Sequence, residues 1–159
     1  MITSGKHEFI SRSPEQTVGF GFRIGEALGA GDALVLRGQL GSGKTVITKG
    51  LAKGLGVADT RDVRSPTFCL CRVYKGRIPV FHVDAFRMED PFELYDLDFA
   101  SEISSGVLIV EWGEKIQSEL PEARTVIDLT VIGTEKRRIT VATSREEIAG
   151  VMGDVPNKA

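Results

Sequence analysis

Ala33-Leu34-Val35-Leu36-Arg37-Gly38-Gln39-Leu40-Gly41-Ser42-Gly43-Lys44-Thr45 is the stretch on which the fold turns. Ala33 to Arg37 is a short, almost unbroken apolar run, the pattern of a parallel strand buried on both faces. Gly38 to Thr45 then matches the eight-residue pattern G-x-x-x-x-G-K-T, and Lys44 to Leu55 continues with helical spacing until Gly56 closes it. Strand, glycine loop and helix N-terminus in that order make an anion cradle, because several backbone N–H groups point one way and the helix dipole adds partial positive charge. Gly38, Gly41 and Gly43 let the backbone come close to an anion and take angles that a Cβ would forbid. Lys44 is placed to bridge a β- and a γ-phosphate, and the Thr45 hydroxyl to ligate Mg²⁺. The residues therefore predict a site for Mg-ATP or a close relative of it. A glycine-rich turn lacking the strand and helix would predict only a turn.

Outward from the loop, His7 to Arg12 is predicted as a strand. Ser13-Pro14-Glu15-Gln16 announces a helix: Ser13 caps, Pro14 suits the first turn, and Gln16 stands where a capping box places its amide. Val18, Phe22, Ile24 and Leu28 form its apolar stripe, weakened by Gly19, Gly21 and Gly25, and Gly29-Ala30-Gly31-Asp32 ends it. After the loop helix, Phe68 to Tyr74, a Lys75-Gly76-Arg77 turn and Ile78 to Asp84 read as a hairpin. Asp90-Pro91 opens a short helix around Phe92 to Leu97, and Val107 to Val110 is another buried strand, ending at Glu111-Trp112-Gly113. Arg124 to Ile132 and Arg138 to Thr143 alternate as antiparallel strands about Gly133-Thr134. A helix from Ser144 to Met152 and a frayed end from Gly153 to Ala159 follow. The expected fold is α/β: a P-loop NTPase-like three-layer domain, its core sheet mostly parallel and its edge strands antiparallel. At 159 residues, with no linker or internal repeat in view, one nucleotide-binding domain spanning 1–159 is expected.

A magnesium site of this kind needs an acid at the end of a neighbouring strand. Asp84 closes one predicted strand and Glu111 another, and ligands of open α/β sheets gather at the carboxyl ends of strands. Taken singly, an acid at a strand end is as well explained by solvent; the coincidence with the loop raises both. Thr67, in Ser65-Pro66-Thr67-Phe68, lies where a switch segment would sense a γ-phosphate, although a threonine after proline is otherwise an ordinary strand start.

Composition narrows the remaining classes. An apolar fraction of 42% with 26% charged residues is that of a globular chain, not a disordered one. No apolar run approaches the roughly 20 residues that cross a bilayer, and Met1 to Glu8 holds no stretch of signal-peptide length, so no membrane association and a cytoplasmic location are expected. Cys69 and Cys71 have the wrong spacing for a C-x-x-C site, and His7 and His82 form no paired ligand motif. The net charge of −2, with Arg61, Arg64, Arg72, Lys75 and Arg77 in one loose basic cluster and Lys136-Arg137-Arg138 in another, reads as solvated surface. Tight RNA binding by this chain alone is not expected.

Four motifs in this order resemble the TsaE family, formerly YjeE: Gly38 to Thr45, Ser65-Pro66-Thr67-Phe68, His82-Val83-Asp84-Ala85-Phe86-Arg87 and Val110-Glu111-Trp112. The likeness runs from about the Ser13 helix to the Arg138 strand. It implies a small P-loop ATPase that hydrolyses Mg-ATP slowly when alone. Its partners would be TsaD and TsaB, which place a threonylcarbamoyl group on the adenosine beside the anticodon of tRNAs reading ANN codons; tRNA is met through that complex. By matched position the resemblance gives Gly41, Ser42, Gly43, Lys44, Thr45 and Val46 to the nucleotide and Thr45 and Glu111 to the metal. Asp84, Glu111 and Thr67 become catalytic or switch residues. Trp112 would lie near the nucleotide, with Glu15 to Thr17 and Arg138 near the base. The chain departs from the family pattern at Phe86, where tyrosine is common, at Val46, where a second threonine is frequent, and at Gln39, where aspartate is usual. None of these removes a phosphate or metal group.

Two other classes remain open on the residues alone. A small P-loop metabolite kinase would need an arginine-rich lid, and between Glu111 and Arg124 only Lys115 is basic. A nucleotide-sensing switch of the GTPase kind would need an N-K-x-D motif, and Asn157-Lys158 is followed only by Ala159.

Overall fold

The run Ala33–Arg37 becomes β2, the strand around which the sheet is built. The computed structural model describes residues 5–64, 71–86, 88–90, 92–93, 100–121 and 123–154. In chain order the elements are β1 (Gly5–Ser11), α1 (Pro14–Glu26), β2, α2 (Lys44–Gly54), β3 (Cys71–Lys75), β4 (Pro79–Asp84), β5 (Val107–Glu111), β6 (Thr125–Val131), β7 (Arg137–Thr143) and α3 (Glu146–Asp154). Short 3₁₀ turns lie at Ala100–Ser105, Gly113–Lys115 and Gln117–Glu119. Thr67, Phe68, Cys69 and Arg87, the expected helix beyond Glu93 and the expected frayed end beyond Asp154 lie outside the described residues.

One seven-stranded sheet runs β1-β7-β6-β2-β5-β4-β3. Its four central strands are parallel, since β2 pairs that way with β5 and β6, and β5 with β4. The outer pairings are antiparallel. Burial follows this division. All five residues of β5 are buried, as both faces of a covered parallel strand must be, whereas β6 and β7 alternate.

All three α-helices pack on one face. Phe20, Ile24, Leu51, Ile47, Ile148 and Met152 meet Leu34, Leu36, Ile109, Ile127, Leu129, Ile139 and Val141 there. On the other face Val35, Phe81, Val83, Leu108 and Val110 are covered by Met88, Ile116 and Leu120 from turns, so the third layer is made of short 3₁₀ segments. That cover stops short of β7 and β1, where Arg138, Lys6 and Glu8 stand exposed.

The helix predicted at Ser13 starts there. Ser13 Oγ accepts from Gln16 N at 3.1 Å, and Gln16 Oε1 accepts from Arg12 N at 2.7 Å, one residue earlier than the reciprocal bond of a capping box. The glycines that weaken the α1 stripe in sequence have another use. A Cβ on Gly21 would fall 2.6 Å from the Ile47 carbonyl oxygen, and one on Gly25 3.0 Å from the Gly54 Cα. On α2, a Cβ on Gly50 would fall 3.0 Å from Phe22 N and closer still to Val18 O. The two helices therefore touch backbone to backbone, which fixes α2 and the loop at its N-terminus against the rest of the molecule. Arg77, read as part of a solvated basic cluster, closes the other end of the pair. Its guanidinium donates to the carbonyls of Gly54, Gly25, Glu26 and Leu28, where the two helices end and carbonyls are least satisfied by the helix itself.

Candidate functional site

The loop from Gly38 to Gly43 leaves the carboxyl end of β2 and turns into α2, with Gly41 and Gly43 at φ of 81° and 105°, angles an L side chain resists. A side chain on Gly38 would fall 2.7 Å from Leu129 O, so the loop rests directly on the end of β6. Lys44, buried at 7% exposure, reaches back across the loop. Its ammonium donates to the carbonyls of Gly38 and Gln39, the latter at 3.2 Å. It also stands 5.2 Å from the centre of the Trp112 ring.

The acids arrive from the sheet. Asp84 and Glu111 end β4 and β5 as register partners. Of the two strands, only β5 borders β2; β4 lies one strand further out. Alternation puts Glu111 on the helix side of the sheet with Ile109 and Val107, hence beside the start of α2. Leu40, Gly41, Gly43, Lys44, Thr45, Val46, Glu111 and Arg137 line one cavity of about 220 Å³. Asp84 Oδ1 accepts from Phe86 N at 2.9 Å and so turns the chain after β4. A second cavity of about 430 Å³ is lined by Arg37, Gly38, Gln39, Ser42 and the Asp128 to Val131 end of β6. Its charges already satisfy one another, since the Arg37 guanidinium donates to both Asp128 oxygens at 2.6 and 2.8 Å. The smaller cavity, with its ammonium, hydroxyl and carboxylate together, is the one suited to a metal-bound phosphate.

Trp112 has φ of 60°, the only positive value among the described non-glycine residues. Such a conformation costs about 1–3 kcal/mol and persists where its surroundings enforce it. Here it bends the chain straight after Glu111, bringing the indole to Lys44 and to the Phe86 ring at 5.1 Å.

Not every expected residue is brought in. Arg138 lies on the opposite face of β7 from the loop, 3.7 Å from Glu8 in an exposed ion pair. Its neighbour Arg137 lies against the loop instead. The Arg137 guanidinium donates to Ser42 O at 3.1 Å and Gly41 O at 3.2 Å, and to the carbonyls of Gly133, Thr134 and Lys136 in the β6–β7 turn. Strand parity carried the signal: Ile139, Val141 and Thr143 face inward, and Arg137 shares their side. Glu15 is exposed in the first turn of α1. Ser42 is buried, and its Oγ has no hydrogen-bond partner among the described residues.

His82, in sequence only a strand residue within one motif, also stands at the site. Its ring is fully buried, with Nε2 at 2.7 Å from Glu111 Oε2 and Nδ1 at 3.1 Å from the Tyr74 hydroxyl. Burial pushes the Tyr74 phenol above its ordinary pKa.

A sheet whose parallel core strand feeds a glycine loop, with an acid on the adjoining strand aimed at the helix start, defines a P-loop NTPase-like domain. The particular kind is settled by comparison: the chain belongs to the TsaE family, whose model, described as "Threonylcarbamoyl adenosine biosynthesis protein TsaE", matches residues 11–139. It is 40% identical over 134 residues to the tRNA threonylcarbamoyladenosine biosynthesis protein TsaE of Treponema pallidum, covering 84% of this chain and 98% of that one. Against the protein of the same name from Bacillus subtilis it is 41% identical over 129 residues, 80% of each chain. The crystal structure of Bacillus subtilis YdiB superposes with a TM-score of 0.76 at 27% identity, over 97% of this chain and 98% of that chain. The resemblance drawn from the four motifs therefore holds. Among the described residues, no helix is long and apolar enough to cross a membrane.

Proposed function

We propose that this chain binds and slowly hydrolyses Mg-ATP at the Lys44 cavity, as the ATPase subunit of tRNA threonylcarbamoyladenosine formation. Its partners are homologues of TsaD and TsaB, tRNA is met through that complex, and the setting is the cytoplasm. The observation that carries the reading is the convergence of Lys44, Thr45 and Glu111 on one cavity at the start of α2. Amides from Gly41 to Val46 cradle the phosphates, and the Lys44 ammonium holds their charge. A hydroxyl and a carboxylate are hard oxygen donors, the set that Mg²⁺ takes when phosphates and waters complete its shell; a closed cluster of three side-chain ligands is not required, and none is present among the described residues. When bound, the metal neutralises charge on the phosphate oxygens. Asp84, beside Glu111 in register, is the candidate to orient the attacking water. Thr67 keeps its proposed switch role on sequence grounds alone.

Glu111→Ala should leave nucleotide binding in place and cut hydrolysis at least about 100-fold, the order of loss found when one group stabilising a transition state is removed. Turnover that survives the change would remove Glu111 from the site. Pull-down from native extract, with and without ATP, tests the assembly: TsaD and TsaB homologues should be recovered with the tagged chain. Their absence under both conditions would leave an ATP-binding domain outside this pathway.

Arg137→Ala should weaken ADP binding about tenfold, roughly the 1.4 kcal/mol expected when the loop loses its charged tie to β7. Arg138→Ala should leave it unchanged. A titration in which Arg138→Ala is the weaker binder would reverse the assignment made here.

A further inference from the structure

Behind Glu111 stands a buried pair of side chains that the proposed reaction does not itself require. His82 and Glu111 lie on adjacent parallel strands, and His82 faces the same side of the sheet as its register neighbours Ile109 and Arg72. A carboxylate only accepts hydrogen bonds, so at 2.7 Å the ring proton sits on His82 Nε2 and is donated to Glu111 Oε2. Nδ1 stands 3.1 Å from the Tyr74 hydroxyl, which also lies 3.4 Å from the Arg64 carbonyl oxygen. Tyr74, 8% exposed on β3, thereby holds the rotation of the ring that faces the acid. One Glu111 oxygen accepts from the ring, and the same carboxylate lines the cavity it shares with Lys44 and Thr45.

We infer that His82, oriented by Tyr74, is a positioning residue that presents Glu111 to the divalent cation of the bound nucleotide. The inference rests on the Mg-nucleotide reading above. A carboxylate that must be both a ligand and correctly aimed loses entropy on binding a metal unless something already holds it. A buried imidazole donor meets that need. Partners of this kind behind a metal ligand typically alter metal affinity by about 10–100-fold when removed.

The test measures Mn²⁺ affinity by electron paramagnetic resonance on the full chain saturated with ADP. Metal-free ADP affinity is measured alongside. His82→Leu should weaken Mn²⁺ binding at least about tenfold while metal-free ADP binding stays within about twofold. His82→Gln, whose amide N–H can reach Glu111, should recover most of the loss. Tyr74→Phe removes only the hydroxyl, and should weaken Mn²⁺ about threefold; it decides the matter if His82→Leu does not fold. Wild-type Mn²⁺ affinity in folded His82→Leu or in Tyr74→Phe overturns the inference. So does His82→Gln falling as far as His82→Leu, since the imidazole would then act only by filling space. A wild-type chain that holds no Mn²⁺ with ADP overturns the proposed function and this inference together, and the two failures are thereby told apart.

Discussion

Lys44→Ala is expected to weaken ADP and ATP binding by more than about 100-fold while the chain stays folded. Lys44 is 7% exposed, and its ammonium is bound to two loop carbonyls and set 5.2 Å from an indole ring. A cation so far removed from water is already largely desolvated and already aimed at the place where phosphate charge would collect. Removing one member of a buried, hydrogen-bonded charge pair costs about 2–5 kcal/mol, and 3 kcal/mol is more than a hundredfold in affinity. Folding should suffer less. The Gly38 and Gln39 carbonyls lie in a surface loop where water can replace the ammonium, and α2 keeps its contacts with α1, so the melting temperature should move by no more than a few degrees. The chain's single tryptophan provides the readout. Because Trp112 lies against Lys44, its fluorescence should change as nucleotide is titrated into the wild type and stay flat in the variant. Affinity within about threefold of wild type would mean that the loop is not the phosphate site.

What the chain discloses in sequence is mostly local. Ala33 to Thr45 specifies a strand, a loop and a helix within one short window, and β5, the loop helix and the Ser13 cap follow patterns of similar span. That Asp84 and Glu111 close their strands is legible, and strand ends in an open α/β sheet are where ligands collect. The order of strands was not. Nothing within Val80 to Asp84 says that β5 stands between it and β2, since that choice is made by contacts between segments far apart in the chain. The same limit explains His82. A lone histidine in an apolar strand carries no mark of a partner 29 positions away. Arg137 is a different case. Residue type could not separate it from Arg138, but the two-residue period of β7 could, because Ile139 and Val141 already declare which side is inside. Gly21 and Gly25 are weak helix formers in isolation; their worth depends on a second helix whose position the sequence does not state.

Gly50→Ala and Gly19→Ala should change stability in opposite directions, although both replace a glycine inside a helix with alanine. Intrinsic propensity favours alanine by about 1 kcal/mol in each. At Gly19 a Cβ meets nothing within 4 Å, so that gain should appear almost whole, raising the melting temperature by about 2–4 °C. At Gly50 the new methyl group falls 3.0 Å from Phe22 N and closer to Val18 O, atoms of the α1 backbone that no rotamer change can move. Relief requires the helices to separate, and overpacking of this kind costs about 1–3 kcal/mol before the broken contacts along the rest of the seam are added. A net loss near 2 kcal/mol is expected, seen as a fall of about 4–8 °C. Separation has a second consequence. α2 begins at Lys44, so any displacement along its contact with α1 carries the loop away from Glu111 on β5 and from Arg137 on β7, both fixed by the sheet. Gly50→Ala should therefore also weaken ADP binding at temperatures where it remains folded, whereas Gly19→Ala should not. If Gly50→Ala melted at or above the wild-type temperature, the close approach of the two helix backbones would not exist as described, and the account of how the loop is held would fail with it.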